Sequence, residues 1–186
     1  NADRLALEFE SGLAGELDGE LFFETERGRT LALTFHPMAD GGSVVLFEDI
    51  TDRRNAEAKI HQLARYDSLT GLPNRELFMN RLEAVLSIAK SEEQVRPTVF
   101  VVDIDRFKQV NDSLGHPAGD EFLRVIARRL TKYRRKVDIV SRLSGDEFVV
   151  VLPQCALSQA QVVIEYLREE LSAPCQISGV TLKPSA

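Results

Sequence analysis

The pattern of hydrophobic and polar residues divides the chain into a β-rich first part and a mixed second part. Apolar residues alternate with polar or small ones over residues 20–36, and a further apolar run covers residues 44–47. A period of two is typical of half-buried strands, so this part predicts three antiparallel strands. No helix is predicted beside them, and three strands alone make a poor core. We therefore expect residues 1–50 to be one part of a larger domain.

A helix is predicted next, over residues 51–66, where Thr51 or Asp52 can cap the first turn. Ala56, Ile60 and Leu63 recur at spacings of four and three and form a narrow apolar seam. Two interpretations stay open, a short packed helix and a segment of coiled coil, because two heptads do not distinguish them.

Helices and strands alternate from Asp67 onward, which favours an α/β fold. The predicted segments are helices at about 75–89, 117–134 and 158–171, apolar strands at 99–102, 139–140 and 148–152, and a short β-like end. The last two strands flank Ser144-Gly145-Asp146-Glu147 and predict a hairpin.

Composition narrows the classes of partner. The net charge of −6 disfavours nucleic acid, because the field of the whole protein repels a polyanion. The basic cluster at residues 128–136 is local, and a nucleotide is an acceptable ligand if a divalent cation screens its phosphates. No apolar run approaches the roughly 18 residues that span a bilayer. Cys155 and Cys175 have no metal-site spacing, so we expect reduced thiols.

Acidic residues follow the predicted strand at 99–102. Asp103 and Asp105 are two residues apart, so in an extended strand they face the same way. Ligands of open α/β sheets gather at the carboxyl ends of strands, and carboxylates there suit Mg²⁺. The alternative is that Asp103 caps the following turn while Asp105 is solvated.

A second acidic pair, Asp146 and Glu147, lies at the tip of the predicted hairpin. Acids are ordinary in tight turns, but a rigid hairpin can hold a carboxylate opposite the strand that ends at Asp103. Two acidic clusters on adjacent strands could hold metal ions at a phosphoryl-transfer centre.

The segment 108–120 lies between the two acidic clusters and contains two glycines that permit close approach of a ligand. A helix that begins near Pro117 offers its N-terminus there. Asn111 and Asp120 have hydrogen-bonding groups that match guanine, although a structural turn with an N-cap explains them equally well. No Gly-rich loop ending in Lys-Ser/Thr is present, which disfavours a P-loop NTPase.

Taken together, these segments resemble the diguanylate cyclase family, which is named for the motif GGDEF. The matching motifs are Asp67 to Arg75, Asp103 to Lys108, Asn111 to His116, Gly119-Asp120 and Arg142 to Phe148, in the family's order and spacing. The resemblance covers about residues 67–186. It implies an α/β (α+β) fold with a central, mostly antiparallel sheet flanked by helices, like the catalytic domains of nucleotidyl cyclases.

The resemblance also implies roles for individual residues, and condensation of two GTP molecules into cyclic di-GMP by a homodimer. The metal ion, Mg²⁺ (or Mn²⁺), would be held by Asp103, the Ile104 carbonyl and Asp146, and the substrate would be bound by Asn111, Asp120 and His116. Lys108 would stabilise charge on the phosphates, and Asp146 or Glu147 would deprotonate the 3′-hydroxyl. An inhibitory site for the product would be formed by Arg135 and Asp138. The helix at 52–66 is where we expect dimerisation to be controlled.

Two further resemblances concern the flanking segments. Residues 1–50, with the step Asp49-Ile50-Thr51, resemble the last strands of a PAS sensor joined to a signalling helix. Residues 171–179 resemble cyclase domains that precede an EAL-type phosphodiesterase. The alternative function is therefore a catalytically weak domain that binds GTP or cyclic di-GMP and regulates such a partner. We expect a cytoplasmic location, and a membrane anchor upstream of Asn1 stays open.

The chain departs from the family's pattern in two places. Ser144 replaces the first glycine of the motif, which would cost on the order of 1 kcal/mol if that position needs a positive φ. The family's closing strands and a later basic helix do not follow within residues 178–186. We therefore expect a C-terminally incomplete domain over residues 67–186.

Overall fold

The computed structural model describes residues 2–14, 19–39, 41–91, 96–132 and 134–185. Within those ranges, the side chains of residues 2–5 and 157 are not described. The described residues form six helices and eight strands, and the chain divides into two compact units, Asn1–His61 and Gln62–Ala186. No helix among them is long and apolar enough to span a membrane.

The first unit is a three-stranded antiparallel meander with a helix against it. Its elements are α1 (Ala2–Leu13), β1 (Gly19–Glu24), β2 (Thr30–Pro37) and β3 (Ser43–Asp49), and the sheet order is β1-β2-β3. Leu33 and Phe35, on the central strand, are buried. The three strands predicted from the alternating pattern are confirmed.

The prediction that no helix accompanies these strands is wrong. The ring of Phe9, on α1, meets that of Phe35 edge-on with centroids 5.9 Å apart. Gly12 makes the approach of α1 feasible, because a Cβ there would lie 2.5 Å from the Phe35 ring. Leu5, Leu7 and Phe9 alternate with a period of two in the sequence, which hides the helix from a periodicity argument.

The step Asp49-Ile50-Thr51 joins this sheet to α2 (Thr51–Arg65). Asp49 Oδ1 accepts hydrogen bonds from the N–H and the hydroxyl of Thr51, at 3.1 and 2.5 Å, and the Thr51 hydroxyl accepts one from the N–H of Thr30 at 2.9 Å. Thr51 or Asp52 was predicted to cap the helix, but the side-chain acceptor for the Thr51 N–H is Asp49. The hydrogen bonds from Thr51 also lower the pKa of the Asp49 carboxyl.

No residue of α2 is buried. The apolar seam predicted on this helix is therefore open to solvent, with Ile60 67% exposed and Leu63 56% exposed.

The second unit is built on the antiparallel sheet β4-β6-β5. Its elements are α3 (Arg75–Ser91), β4 (Thr98–Val102), α4 (Phe107–Leu114), α5 (His116–Thr131), β5 (Ile139–Ser144), β6 (Glu147–Leu152), α6 (Leu157–Ser172), β7 (Cys175–Ile177) and β8 (Val180–Leu182). The predicted antiparallel sheet with flanking helices is confirmed.

Alternation along β6 divides the core between the two faces of the sheet. Val149 and Val151 pack with Phe78 of α3 on one face. Phe148, Val150 and Leu152 pack on the other face within the larger cluster, which includes residues of α5 and α6. Because both faces of β6 are covered, residues 148–152 are all apolar, whereas its first residue, Glu147, is exposed where the sheet ends.

Helix α4 was not predicted. The segment after the acidic strand end was interpreted as a loop, but it folds into two turns of helix after Arg106, which has a left-handed φ of 59°. The helix ends at Gly115, whose φ of 84° a residue with a side chain rarely adopts, and α5 starts directly after it.

Candidate functional site

The predicted hairpin is a tight turn that displays two acids. Ser144, at the end of β5, pairs with Glu147, at the start of β6, so Gly145 and Asp146 form a two-residue loop. Gly145 has a φ of 45°, the sign that the first central residue of a type II′ turn requires. Among the described non-glycine residues, positive φ occurs at Arg106 and Ser178. Ser144 therefore lies in ordinary backbone, and the cost considered for a positive φ does not arise.

Asp103 lies at the same end of the sheet as this hairpin. Strand β4 pairs with β6 so that Val102 lies opposite Phe148. One residue further toward the hairpin, β4 is followed by Asp103, and β6 begins with Glu147. The register thus brings the first acidic cluster beside the second. Asp103 and Glu147 are exposed, and Asp146 is half-buried.

Asp103 and Asp105 do not lie in an extended strand, which the prediction of a shared face assumed. The strand ends at Val102, and Asp105 lies in the turn that leads into α4. The N–H of Asp105 donates a hydrogen bond to the carbonyl of Ser185 at 3.0 Å. The argument from a period of two fails because the backbone is no longer extended there.

The main-chain carbonyl of Ile104 is a further oxygen at this strand end. The Ile104 side chain is buried, and its carbonyl accepts a long hydrogen bond of 3.4 Å from the N–H of Phe107. A carbonyl oxygen has a second lone pair, so it can also act as a ligand.

Within the described residues, no three His, Cys, Asp or Glu side chains are close enough together to hold a metal ion. The residues that resemble the family's ligands are only two carboxylates, Asp103 and Asp146, and the Ile104 carbonyl. This set fits Mg²⁺, which usually keeps several waters and takes one or two carboxylates together with substrate phosphates.

The residues predicted to bind substrate lie on α4 and at the start of α5. Asn111 is half-buried on α4, His116 is the exposed first residue of α5, and Asp120 is exposed one turn later. A Cβ on Gly119 would overlap Oδ1 of Asn111. The absence of a side chain at Gly119 therefore allows the Asn111 amide to lie against α5, next to Asp120 in the chain. Lys108 is exposed on the first turn of α4, five residues after Asp103.

Arg135 and Asp138 lie at the opposite end of β5. The six residues from Asp138 to Ser144 correspond to roughly 20 Å of extended strand. Asp138 is buried, and its carboxylate accepts hydrogen bonds from the backbone N–H of Arg135 at 2.8 Å and from Nη2 at 2.9 Å. The Asp138 carboxylate raises the pKa of the Arg135 guanidinium. The two residues that were predicted to bind a ligand are bonded to each other in this structure.

A cavity of about 790 Å³ adjoins this turn. Its apolar wall comes from Val140 of β5, from Val150 and Leu152 of β6, and from Val163 and Leu167 of α6. Arg134 and Arg135 lie at its border and make one side of it basic.

A connection that the sequence did not predict joins the hairpin to the start of the second unit. Nη1 of Arg142 lies 2.9 Å from Oδ1 of Asp67, and Nη2 donates to the carbonyl of Gly145 at 2.7 Å. Asp67 Oδ1 also accepts hydrogen bonds from the N–H and the hydroxyl of Thr70, at 2.8 and 2.5 Å. Burial raises the pKa of Asp67, but the hydrogen bonds from Thr70 and Arg142 outweigh burial and lower it overall.

Both Asp67 and Arg142 belong to motifs that carry the family resemblance, yet neither had a role. Their opposite charges were the available signal, and 75 residues separate them in the chain. Arg142 therefore fixes the loop carbonyl of the hairpin to a part of the chain that is remote in sequence.

Comparisons with known proteins agree with this geometry. Residues 64–186 match the family described as "Diguanylate cyclase, GGDEF domain". The probable diguanylate cyclase DgcE of Escherichia coli K12 is 40% identical over 122 residues, which are 66% of this chain and 11% of that protein. The cyclic di-GMP phosphodiesterase NbdA of Pseudomonas aeruginosa is 37% identical over 136 residues, 71% of this chain and 17% of that protein.

Solved structures show the same similarity. The coiled coil and GGDEF domain of DgcB from Caulobacter crescentus, in complex with c-di-GMP, superposes with a TM-score of 0.66 at 25% identity and covers 73% of each chain. The GGDEF domain of TpbB from Pseudomonas aeruginosa gives a TM-score of 0.59 at 41% identity, with 64% of this chain and 70% of that chain covered. The chain thus spans less than a fifth of the length of DgcE and NbdA.

Proposed function

Because the chain belongs to the GGDEF domain family of diguanylate cyclases, we propose that its second unit condenses two molecules of GTP into cyclic di-GMP in a bacterial signalling protein. The observation that carries this proposal is the register of β4 and β6, which brings Asp103 beside Asp146 and Glu147. Three acids at one sheet end, without a basic partner among the described residues, suit a reaction on metal-bound phosphates.

The proposed cofactor is Mg²⁺ or Mn²⁺, held by Asp103, Asp146 and the Ile104 carbonyl. When bound, such an ion neutralises charge on the phosphates and polarises the reacting phosphorus. Lys108, exposed on α4, adds positive charge where phosphates would lie.

Guanine recognition is assigned to α4 and α5. The Asn111 amide can donate to and accept from the base, and the Asp120 carboxylate can accept from its N–H groups. His116 belongs to the same substrate-binding segment. The close fit of Asn111 against Gly119 supports this assignment, because it fixes the amide in one place.

In the reaction, Asp146 or Glu147 takes the proton from the 3′-hydroxyl of one GTP. The oxygen then bonds to the α-phosphorus of the other GTP, and pyrophosphate leaves with the electron pair of the broken P–O bond. Two such transfers give the cyclic product. Since each domain holds one GTP, two copies must face each other.

Helix α2 is the proposed dimer contact. Its apolar seam is unburied, with Ile60 and Leu63 more than half exposed, and a second copy of the helix would cover it. The first unit is proposed to be part of a PAS-like sensor, residues 1–50, joined by the signalling helix at 51–66 to a cytoplasmic cyclase domain at 67–186. Arg135 and Asp138 are proposed to bind the cyclic di-GMP product and to inhibit the enzyme.

A second candidate function is supported by the similarity to NbdA, which is named a cyclic di-GMP phosphodiesterase. In this alternative the domain binds GTP or cyclic di-GMP with little turnover and regulates an attached EAL-type phosphodiesterase.

One experiment separates the two functions. The protein in its full natural length, its Asp146→Ala variant and a control, Glu83→Ala on the exposed side of α3, are incubated with GTP and Mg²⁺, and cyclic di-GMP is measured by chromatography. We expect product from the unaltered protein and the control and none from Asp146→Ala. Binding of GTP or cyclic di-GMP by the unaltered protein without any product would contradict the cyclase proposal and support the alternative.

A further inference from the structure

Ser144 stands where the family's motif has glycine, and it makes a contact that glycine does not make. Its hydroxyl donates a hydrogen bond to Oε2 of Glu147 at 2.9 Å. The two residues are directly opposite each other in the register of β5 and β6, so the backbone itself brings the side chains together.

This contact determines the side on which the Glu147 carboxylate lies. Strand β6 runs between β4 and β5, so Glu147 has Ser144 on one side and the strand that ends in Asp103 on the other. A hydrogen bond to Ser144 directs the carboxylate toward β5 and away from Asp103.

We infer that Ser144 is a positioning residue that holds Glu147 away from the divalent cation of the proposed cyclase site. The inference rests on the proposed function, because it assigns that cation to Asp103 and Asp146. With Glu147 held back, the ion meets two carboxylates instead of three, and fewer charged ligands mean weaker binding. A glycine at position 144 would leave Glu147 able to approach the ion.

The size of the effect follows from the hydrogen bond. Glu147 must give up the bond to Ser144 before it reaches the ion, and a net hydrogen bond of this kind corresponds to about a three- to tenfold change in an equilibrium constant. We therefore expect Ser144→Gly to bind the cation about three- to tenfold more tightly. If Ser144 only stabilised the hairpin, the glycine variant would bind the same or more weakly.

The test is calorimetric titration of the purified protein with Mn²⁺ in the absence of nucleotide. The variants are Ser144→Gly and Ser144→Thr, which keeps the hydroxyl, each with and without Glu147→Gln, and circular dichroism checks their folding. Three results together would support the inference: tighter Mn²⁺ binding by Ser144→Gly, unchanged binding by Ser144→Thr, and equal affinities of all proteins that carry Glu147→Gln, whichever residue is at position 144. Equal affinities of the unaltered protein and Ser144→Gly, or a difference that persists with Glu147→Gln, would overturn it.

A further variant, Asp103→Asn, separates this inference from the proposed function. If the unaltered protein binds no Mn²⁺ even after a non-hydrolysable GTP analogue is added, or if Asp103→Asn binds it equally well, the proposed metal site itself is wrong and the role of Ser144 falls with it. If Asp103→Asn abolishes binding while Ser144→Gly changes nothing, the metal site stands and only the inference about Ser144 is contradicted.

Discussion

The two ends of strand β5 carry acidic side chains in opposite situations. At its start, Asp138 is buried and accepts hydrogen bonds from the backbone and the guanidinium of Arg135. Beyond its other end, the carboxylates of Asp146 and the neighbouring Asp103 make no ion pair or hydrogen bond with any described residue. A buried, paired carboxylate supports the fold, whereas an unpaired carboxylate at the end of the sheet is free to bind a cation.

The largest expected effect is on activity at the hairpin end. Asp103→Asn removes one charge from the proposed metal site and should lower the rate of cyclic di-GMP formation by about 10²- to 10³-fold. Because the Asp103 side chain is exposed and unpaired, the thermal midpoint of the variant should stay within about 2 °C of that of the unaltered protein. Product formation is measured by chromatography, and unfolding by circular dichroism. A variant that keeps its activity, or one that unfolds at a much lower temperature, would contradict the view that the Asp103 carboxylate serves the site and not the fold.

At the other end of β5 the effect should fall on stability. Asp138→Ala leaves the N–H of Arg135 and part of its guanidinium without an acceptor, which should lower the free energy of unfolding by about 2 kcal/mol. The estimate stays moderate because the Arg135 side chain is itself 54% exposed. Urea denaturation measures the change. Asp112→Ala, on the exposed side of α4, is the matched control, with an expected change below about 0.5 kcal/mol. Equal changes in the two variants would remove the distinction.

Arg142 connects the hairpin to a paired acid, because it donates to the carbonyl of Gly145 and forms an ion pair with Asp67. Because the folded-state pKa of Asp67 is lowered, this pair stabilises the protein above the unfolded pKa of about 3.9 and stops doing so as pH falls through the folded value. Arg142→Met should therefore lower the free energy of unfolding by about 1–2 kcal/mol at pH 7.

The difference in free energy of unfolding between Arg142→Met and the unaltered protein should narrow as pH falls below about 4, the unfolded pKa of Asp, and on toward the lower folded-state pKa of Asp67. Part of the gap should persist, because the hydrogen bonds from Arg142 to the Gly145 carbonyl do not titrate. Urea denaturation at several pH values tests this, with Arg124→Met as a control on an exposed face of α5. A gap that is constant or widens toward low pH would contradict the role given to Asp67.

The smallest expected effect concerns substrate affinity at the hairpin end. Gly119→Ala places a Cβ where Oδ1 of Asn111 lies, so the amide must move away from α5. We expect the KM for GTP to rise by about five- to tenfold with a smaller change in kcat, since a displaced hydrogen-bonding group mainly weakens binding. Steady-state kinetics measures both constants, and Ala118→Gly is a control at the preceding position. A fall in kcat alone would argue against a role of Asn111 in binding GTP.

The sequence predicted the strands and most helices of the second unit because their apolar periods are clear. It missed α4 although Phe107, Val110 and Leu114 recur at helical spacings, because the polar residues between them and the following Gly115 were interpreted as a turn. It also missed α1, because residues 2–13 were assigned no element, and the packing of Phe9 against Phe35 is a tertiary contact that the local pattern does not show.

For the candidate site, the sequence placed the two acidic clusters on neighbouring strands, and the register of β4 and β6 agrees with that placement. It did not predict that the strand ends at Val102, before both Asp103 and Asp105. The sequence also did not predict the bonds from Arg142 to Asp67 and from Ser144 to Glu147, since they depend on side-chain orientation and on contacts between distant segments. The roles of the individual site residues stay predictions.

The closed turn of Arg135 and Asp138 sets a limit on a regulator that uses the same edge of the guanidinium. A ligand that binds Nε and Nη2 of Arg135 must first displace the Asp138 carboxylate from them, so for such a ligand only the fraction of molecules with an open turn is competent to bind. The apparent affinity is the affinity for the open turn multiplied by that fraction. Each tenfold rarity of the open turn requires about tenfold more ligand for the same occupancy. The strength of one internal ion pair would thus set the concentration at which feedback begins.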